Sequence, residues 1–204
     1  MSKIFFDVGA NNGSSSIHVA ESDPDTIVYA FEPTPEMISI IEEKSKNFNN
    51  YFLIRKAVSN FEGKSIFKVA GQSDWGCSSL LEFSDKSKTQ WVDREDFKVT
   101  HEIEVDVIRL DSFIKEKNIS CIDFLHIDTQ GSDLNVLIGL GDYINIVQSG
   151  VMEAASSSDI LYFSQNTLED SLKFLTDNGF TIDLIQPNDV HNNEVNIFFS
   201  RKKI

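Results

Sequence analysis

The sequence predicts a single α/β domain over residues 1–204, a doubly wound, mostly parallel seven-stranded sheet with an antiparallel C-terminal strand. Three observations predict it. Short apolar runs that stop at Gly, Asp or Glu alternate with segments of helical period, the pattern of strand–crossover–strand units. A glycine-bearing turn, Gly9 to Gly13, follows the first run and opens the first helix. The last two runs lie so close together that only a hairpin-like turn joins them, which makes one of them antiparallel.

The elements follow in order. Ile4 to Val8 is a short apolar run and reads as a buried strand. Ser14 to Glu21 is a helix whose serines are able to cap its start. Thr26 to Phe31 is a second buried strand, ended by Glu32-Pro33. Pro35 to Lys46 is a helix with Thr34 as N-cap, Pro35 at the first position and Met37, Ile40 and Ile41 at helical spacing. Tyr51 to Val58 is a third strand. After the turn at Phe61 to Lys64 the pattern changes. Ser65 to Ala70 resembles a hairpin strand, and Gly71 to Glu95 is polar and irregular, as a lid or substrate loop would be. His101 to Leu110 alternates like a half-exposed strand, and Asp111 to Lys117 is a short helix. Cys121 to Ile127 is the next central strand, followed by a helix from Ser132 to Leu140 and a strand from Ile144 to Glu153. Thr167 to Asn178 is a helix stopped by Gly179, and Phe180 to Ile185 with Val195 to Ser200 closes the sheet.

Composition excludes several classes of function. With 32 acidic against 18 basic residues the net charge is −14, so a phosphate backbone is repelled and nucleic acid is an unexpected partner. No apolar run approaches the ~20 residues of a membrane span, and no signal peptide precedes the first strand. Cys77 and Cys121 have no metal-ligand spacing and read as free thiols of a cytoplasmic protein. Because the first strand starts at residue 4, the domain is also expected to be a piece of a longer, multidomain chain.

The turn Asp7-Val8-Gly9-Ala10-Asn11-Asn12-Gly13 stands where an α/β sheet holds its cofactor. Gly9 permits a positive φ and close approach of a ligand, and Gly13 lets the helix start near the strand. A dinucleotide fingerprint would read G-x-G-x-x-G, but here the glycines are four apart and a carboxylate precedes them. That arrangement suits a cationic sulfonium with an amino acid tail better than a pyrophosphate. Glu32 lies 19 residues beyond Gly13 at the end of the second strand, where an acid accepts from ribose hydroxyls. The alternatives are an unrelated flavodoxin-like domain and a small NAD-dependent dehydrogenase, the latter lacking its third glycine.

The segments FFDVGANNG (Phe5 to Gly13), YAFEPTPEM (Tyr29 to Met37), KAVSNFEGKSIFKV (Lys56 to Val69), DFLHIDTQGSDLNVLIGLG (Asp123 to Gly141) and NGFTI (Asn178 to Ile182) keep the order and spacing of one family. On these the chain resembles an FkbM-family methyltransferase. The resemblance implies a Rossmann-like class I methyltransferase fold, S-adenosylmethionine as methyl donor, and O-methylation of glycan sugars, polyketides or other metabolites. It places Asp7, Gly9, Ala10, Asn11 and Gly13 around the methionine part of the cofactor, Glu32 on the ribose beside Pro33, and Ala57 and Val58 at the adenine. The partners expected are a small-molecule or glycan acceptor and glycosyltransferase domains, fused or acting alongside. A nucleic-acid base methyltransferase would carry D/N-P-P-Y/F where this chain has Asp128-Thr129-Gln130-Gly131.

Methyl transfer to an alcohol needs a base that takes the hydroxyl proton during attack. Asp128 ends the strand expected beside the first strand and is the candidate base; the competing reading is a turn aspartate before Gly131. His126 lies two residues earlier on the same face, and Glu153, ending the following strand, could pair with it. Family members often carry Lys at the His126 position and Glu at the Gln130 position. Gln130 is no anionic base, which leaves a noncatalytic cofactor-binding domain as an alternative. Asp128, Asp133 and Glu153 have oxygen ligands but no diagnostic spacing, and no metal is expected. Trp75, Ser78, Ser79 and Gln130 are the acceptor-side candidates, Trp75 as an aromatic face for a sugar, with Tyr162 and Gln165 behind them.

Overall fold

The chain runs through β1 (Ile4–Val8), α1 (Ser14–Ser22), β2 (Ile27–Phe31), α2 (Pro35–Ser45), β3 (Tyr51–Ile54), β4 (Ala57–Val58) and β5 (Gly63–Ala70). It continues with β6 (Val99–Ile108), α3 (Leu110–Lys117), β7 (Phe124–Ile127), α4 (Asp133–Ile138), β8 (Ser149–Ala155), α5 (Leu168–Asp177), β9 (Thr181–Pro187) and β10 (Glu194–Ser200). The computed structural model describes residues 2–71, 75–86, 97–156, 160–188 and 193–202, the Trp75 side chain excepted.

Seven strands form one sheet in the order β3-β2-β1-β7-β8-β10-β9. All pairs from β3 to β8 are parallel, and β10 lies antiparallel between β8 and β9. The expected doubly wound sheet with one antiparallel C-terminal strand is therefore present. Both faces of its centre are covered. On one, α3, α4 and α5 pack Phe113, Leu137 and Leu175 against Phe6, Phe31, Leu125 and Ile127. On the other, Ala20 of α1 and Ile41 of α2 pack on Val28, Ala30 and Tyr51. The central strands are rich in apolar residues for this reason, interrupted by Asp7 in β1 and His126 in β7. Phe6, Phe31 and Phe113 meet edge-on or tilted at 5.1–5.9 Å between centroids, the favoured aromatic geometry.

Some boundaries differ from the sequence reading. Tyr51 to Val58 is not one strand, because the chain turns at Arg55-Lys56, where Lys56 N bonds Ile54 O at 2.9 Å. Its second half, β4, leaves the main sheet and joins β5 and β6 in a separate three-stranded sheet. Ile144 to Glu153 is likewise divided. Gly141–Ile146 winds into a 3-10 helix, and β8 begins at Ser149. An apolar run of that length does not distinguish a strand from a buried helical turn. The capping expectations hold in position for α2 and α4 but not for α1, where a glycine stands in place of the expected serine. Gly13 caps α1 at φ 74, while Thr34 and Ser132 occupy N-cap positions without a side-chain cap bond. Thr167 and Asp170 form a reciprocal capping box on α5.

Cys77 and Cys121 are free thiols. No helix among the described residues is long and apolar enough to cross a membrane.

Candidate active site

The strand order reverses between β1 and β7, and a crevice opens beyond their carboxyl ends, where open α/β sheets bind ligands. The turn after β1 and the turn after β7 are packed too tightly for any side chain between them. Gly9 has φ 84, and a Cβ there would stand 1.8 Å from the Asp128 carbonyl oxygen. Gly9 thus sets the closeness of Asp128 to the first turn.

Two clefts share this crevice. The first, about 590 Å³, is bounded by Gly9 and Asn11 of the turn, Glu32 and Pro33 after β2, and Ala57 and Val58 of β4. Met37, Phe67 and Leu80 give it an apolar wall, and Asp128, Gln130 and Ser78 close its other end. The second is open and polar, about 1200 Å³, with His126, Glu153, Asn188, Glu194 and Asn196 on its floor and Phe97 and Leu161 on one wall. Asn11, Gly76, Asp128 and Gln130 line both clefts. Asp128 stands at the junction, held by its backbone N–H on Val8 O at 2.9 Å.

Glu32 is buried, with Oε2 accepting from Asn11 N at 2.8 Å and Oε1 from Thr34 N at 2.9 Å. Burial pushes this carboxyl up to about 7, against the lowering effect of the Thr34 and Asn11 bonds. Asp133 is fully buried under the second cleft, and burial followed by the Asp128 charge raises it to about 8. Its oxygens accept from Glu153 N and the Thr129 hydroxyl, both at 3.1 Å. Glu153 is raised well above the usual range by burial and then by the charges of Asp128, Glu194 and Asp133. Burial and the neighbouring acid charges thus hold both Asp133 and Glu153 above the ordinary carboxylate range.

His126 is not paired with Glu153. Its Nδ1 lies 2.7 Å from Asp7 Oδ1, because His126 and Asp7 are register partners on adjacent parallel strands. Burial alone would lower the imidazole; the Asp7 hydrogen bond and charge, with Asp128 and Asp133, outweigh it and raise it. Glu153 is also not a strand end. It sits within β8 opposite Asn196 of β10, takes a hydrogen bond from the Asn188 side chain, and receives Gln130 Nε2 at 3.5 Å. The first correction follows from the β1–β7 register and the second from β8 running on to Ala155.

Of the cofactor candidates, Gly9, Asn11, Glu32, Pro33, Ala57 and Val58 line the first cleft, while Asp7, Ala10 and Gly13 lie behind it. Asp7 is buried against His126, Ala10 packs in the core under the turn, and Gly13 packs on Ile17 and Ile41. On the acceptor side Ser78 and Gln130 reach the crevice, but Ser79 is 1% exposed and spends its hydroxyl on the Gln130 carbonyl at 2.7 Å. Trp75 opens the 3-10 helix Trp75–Cys77, and its side chain lies outside the described residues. Tyr162 and Gln165 are buried and do not face the acceptor space as expected. The sequence reading missed Asn188, Glu194 and Asn196. Their signal was the alternation of polar Glu194 and Asn196 with apolar Val195 and Ile197 on a strand paired with β8. Among the described residues no group of three or more His, Cys, Asp or Glu side chains is arranged to hold a metal ion.

The family model described as the methyltransferase FkbM domain matches residues 7–182. Methyltransferase 1 of Beauveria bassiana is 25% identical over 171 residues, 80% of this chain and 69% of that protein. The 2-O-methyltransferase NoeI of Sinorhizobium fredii is 26% identical over 142 residues, 67% of this chain and 56% of that protein. The chain thus matches little more than half the length of NoeI. Among solved structures, Aeropyrum pernix fibrillarin with natively bound S-adenosyl-L-methionine superposes with a TM-score of 0.53 at 13% identity, covering 97% of this chain and 66% of that one. M. capricolum TrmK with S-adenosyl-homocysteine gives 0.52 at 14%, covering 98% and 63%. At such identity these two speak for the fold alone.

Proposed function

The chain belongs to the methyltransferase FkbM domain family, and from that membership we propose an S-adenosylmethionine-dependent O-methyltransferase acting on a hydroxyl, foremost that of a sugar in a glycan. The observation that carries the reading is the meeting of the two clefts at Asp128. A carboxylate there stands between a largely apolar cleft and an open basin lined with carboxamides and acids.

The first cleft suits the cofactor in chemistry. Glu32 offers its carboxylate to the ribose hydroxyls. Met37, Val58, Phe67 and Leu80 offer a flat apolar slot to the adenine. Asn11 and Asp128 stand at the end left for the methionyl part and the sulfonium charge. When bound, the cofactor supplies an activated methyl group, so the protein has to position the acceptor and remove one proton. In this reading Asp128 takes the hydroxyl proton as the oxygen attacks. His126, held by Asp7, places a cationic or hydrogen-bonding group beside that carboxylate. Asn188, Asn196 and the Glu153 carboxyl offer donors and acceptors to the remaining hydroxyls of a sugar.

NoeI, by its name a 2-O-methyltransferase, supports transfer to oxygen. The net charge of −14 supports an acceptor other than nucleic acid. Glycosyltransferase domains that build the acceptor, fused or separate, are the partners that fit. The Phe97 and Leu161 wall favours a second acceptor class, a polyketide or other small metabolite hydroxyl.

Calorimetric titration with S-adenosylmethionine, with NAD as control, tests the cofactor assignment. Micromolar binding of the first and none of the second is expected. Binding of neither would leave a noncatalytic domain as the better account.

A further inference from the structure

Gln130 carries interactions that acceptor binding does not explain. Its backbone stands in the left-handed region at φ 55, a conformation uncommon outside glycine. The Ser79 hydroxyl fastens its carbonyl at 2.7 Å. Its carboxamide is held at both ends: Nε2 donates to Asp128 Oδ1 at 2.7 Å, and Oε1 lies 2.8 Å from the Tyr162 hydroxyl. The same hydroxyl lies 3.0 Å from the Cys77 carbonyl oxygen. Tyr162 is fully buried and stacks on Phe83 at 5.0 Å between centroids, so it touches neither cofactor nor acceptor.

We propose that Gln130, backed by Tyr162, is the positioning residue for Asp128, a carboxamide clamp that pairs the carboxyl group both before and after it takes a proton. The proposal rests on Asp128 being the base. In the transfer the O–C bond forms as the S–C bond breaks, its electron pair stays on sulfur, and the hydroxyl proton passes to Asp128. As a carboxylate, Asp128 accepts from Nε2 while Tyr162 donates to Oε1. As a carboxylic acid it needs an acceptor in the same place. An end-for-end turn of the amide supplies one: Oε1 accepts from Asp128, Nε2 donates to the Tyr162 oxygen, and Tyr162 donates to the Cys77 carbonyl. The carboxamide and the Asp128 carboxyl stay paired in both states, which neither an apolar residue nor a carboxylate at 130 allows.

The clamp also biases the charge state. The groups facing Asp128 among the described residues are His126 on β7, with Asp7 of β1 behind it, Asp133 on α4, Glu153 on β8, and the Tyr162 hydroxyl, with Glu194 of β10 next to Glu153. Those of the acids that are ionised repel a charged carboxylate at 128. The amide opposes them, because a hydrogen bond to a charged acceptor is the stronger kind.

The test is an NMR titration of the protein labelled with ¹³C at the aspartate carboxyls, the Asp128 signal assigned by its loss in Asp128→Asn. Gln130→Leu is expected to raise the Asp128 midpoint by about one pH unit, the worth of one hydrogen bond to a charged group. Gln130→Met, closer in shape, serves if the leucine variant does not fold, with circular dichroism reporting the fold. Tyr162→Phe, which keeps the ring stack, is expected to speed hydrogen exchange of the Gln130 side-chain amide at least ~10-fold. An Asp128 midpoint unchanged or lowered in a folded Gln130 variant overturns the clamp. The titration needs neither cofactor nor acceptor, so failure of wild-type protein to bind S-adenosylmethionine would count against the proposed function and leave this result to be read separately.

Discussion

Cofactor affinity should depend on pH through Glu32. The carboxyl is pushed up to about 7 in the folded protein because burial outweighs the Thr34 and Asn11 hydrogen bonds that hold it. Ribose hydroxyls donate to it, and donors favour the ionised form. Binding therefore selects ionised Glu32 and releases a proton from any molecule that carries one. At pH 6, one unit below the midpoint, only about a tenth of the carboxyls are ionised, and ionising the rest costs about 1.4 kcal/mol. At pH 8 the cost is negligible. The Kd for S-adenosylmethionine should fall about tenfold between pH 6 and pH 8. At pH 7 about half a proton should be released per cofactor bound. Calorimetry in two buffers of different ionisation enthalpy reads both quantities. Glu32→Gln should flatten the Glu32 part of the dependence and weaken binding at pH 8 by ~1.5–3 kcal/mol, the worth of hydrogen bonds to a charged group. An affinity that is flat or rises toward acid in the wild type, without proton release, would refute the placement of the ribose on Glu32.

Other expectations follow from the same geometry. Gly9→Ala should destabilise the fold by roughly 2–5 kcal/mol, combining a positive φ with a Cβ that overlaps the Asp128 carbonyl; an urea-unfolding midpoint close to wild type would contradict the tight turn. Asp133 is raised to about 8 from an unfolded value near 3.8, so the folded state holds its proton longer than the unfolded chain does. Its stabilising effect is complete below pH ~4 and is lost as pH rises to about 8, so stability should be higher at pH 5 than at pH 8. Asp133→Asn should shrink that difference by on the order of a few kcal/mol; an equal slope in both proteins, read by urea unfolding, would speak against the buried neutral acid. Asp128→Asn should keep cofactor binding within a few-fold and lower methyl transfer by roughly 10²–10⁴-fold, the usual worth of a general base. Full activity in that variant removes Asp128 from the mechanism.

The legible part of the protein was the part set by local chemistry. The Gly9 to Gly13 turn announces itself because few other residues allow its backbone, and Glu32 because an acid at a buried strand end needs donors. Asp128 was legible once β7 was placed beside β1, since parallel pairing puts the two turns side by side. Features that depend on long-range register were not. Glu153 was set at a strand end, but β8 runs on to Ala155 and its antiparallel register with β10 puts Glu153 opposite Asn196. Asn188 and Glu194 reach the basin only through the β9–β10 hairpin. Tyr162 lies in irregular chain with no periodicity to mark its burial; the stack on Phe83 and the bond to Gln130 bury it. His126 found Asp7 through a cross-strand pairing that a spacing of 119 residues conceals.

The most direct test of the central claim is mass spectrometry of a glycoside panel incubated with the protein and trideuteromethyl-labelled S-adenosylmethionine. The account predicts label on a hydroxyl oxygen of at least one neutral sugar, located by fragmentation, and its loss in Asp128→Asn. Label found on nitrogen or carbon, or equal labelling by the Asp128 variant, would contradict it.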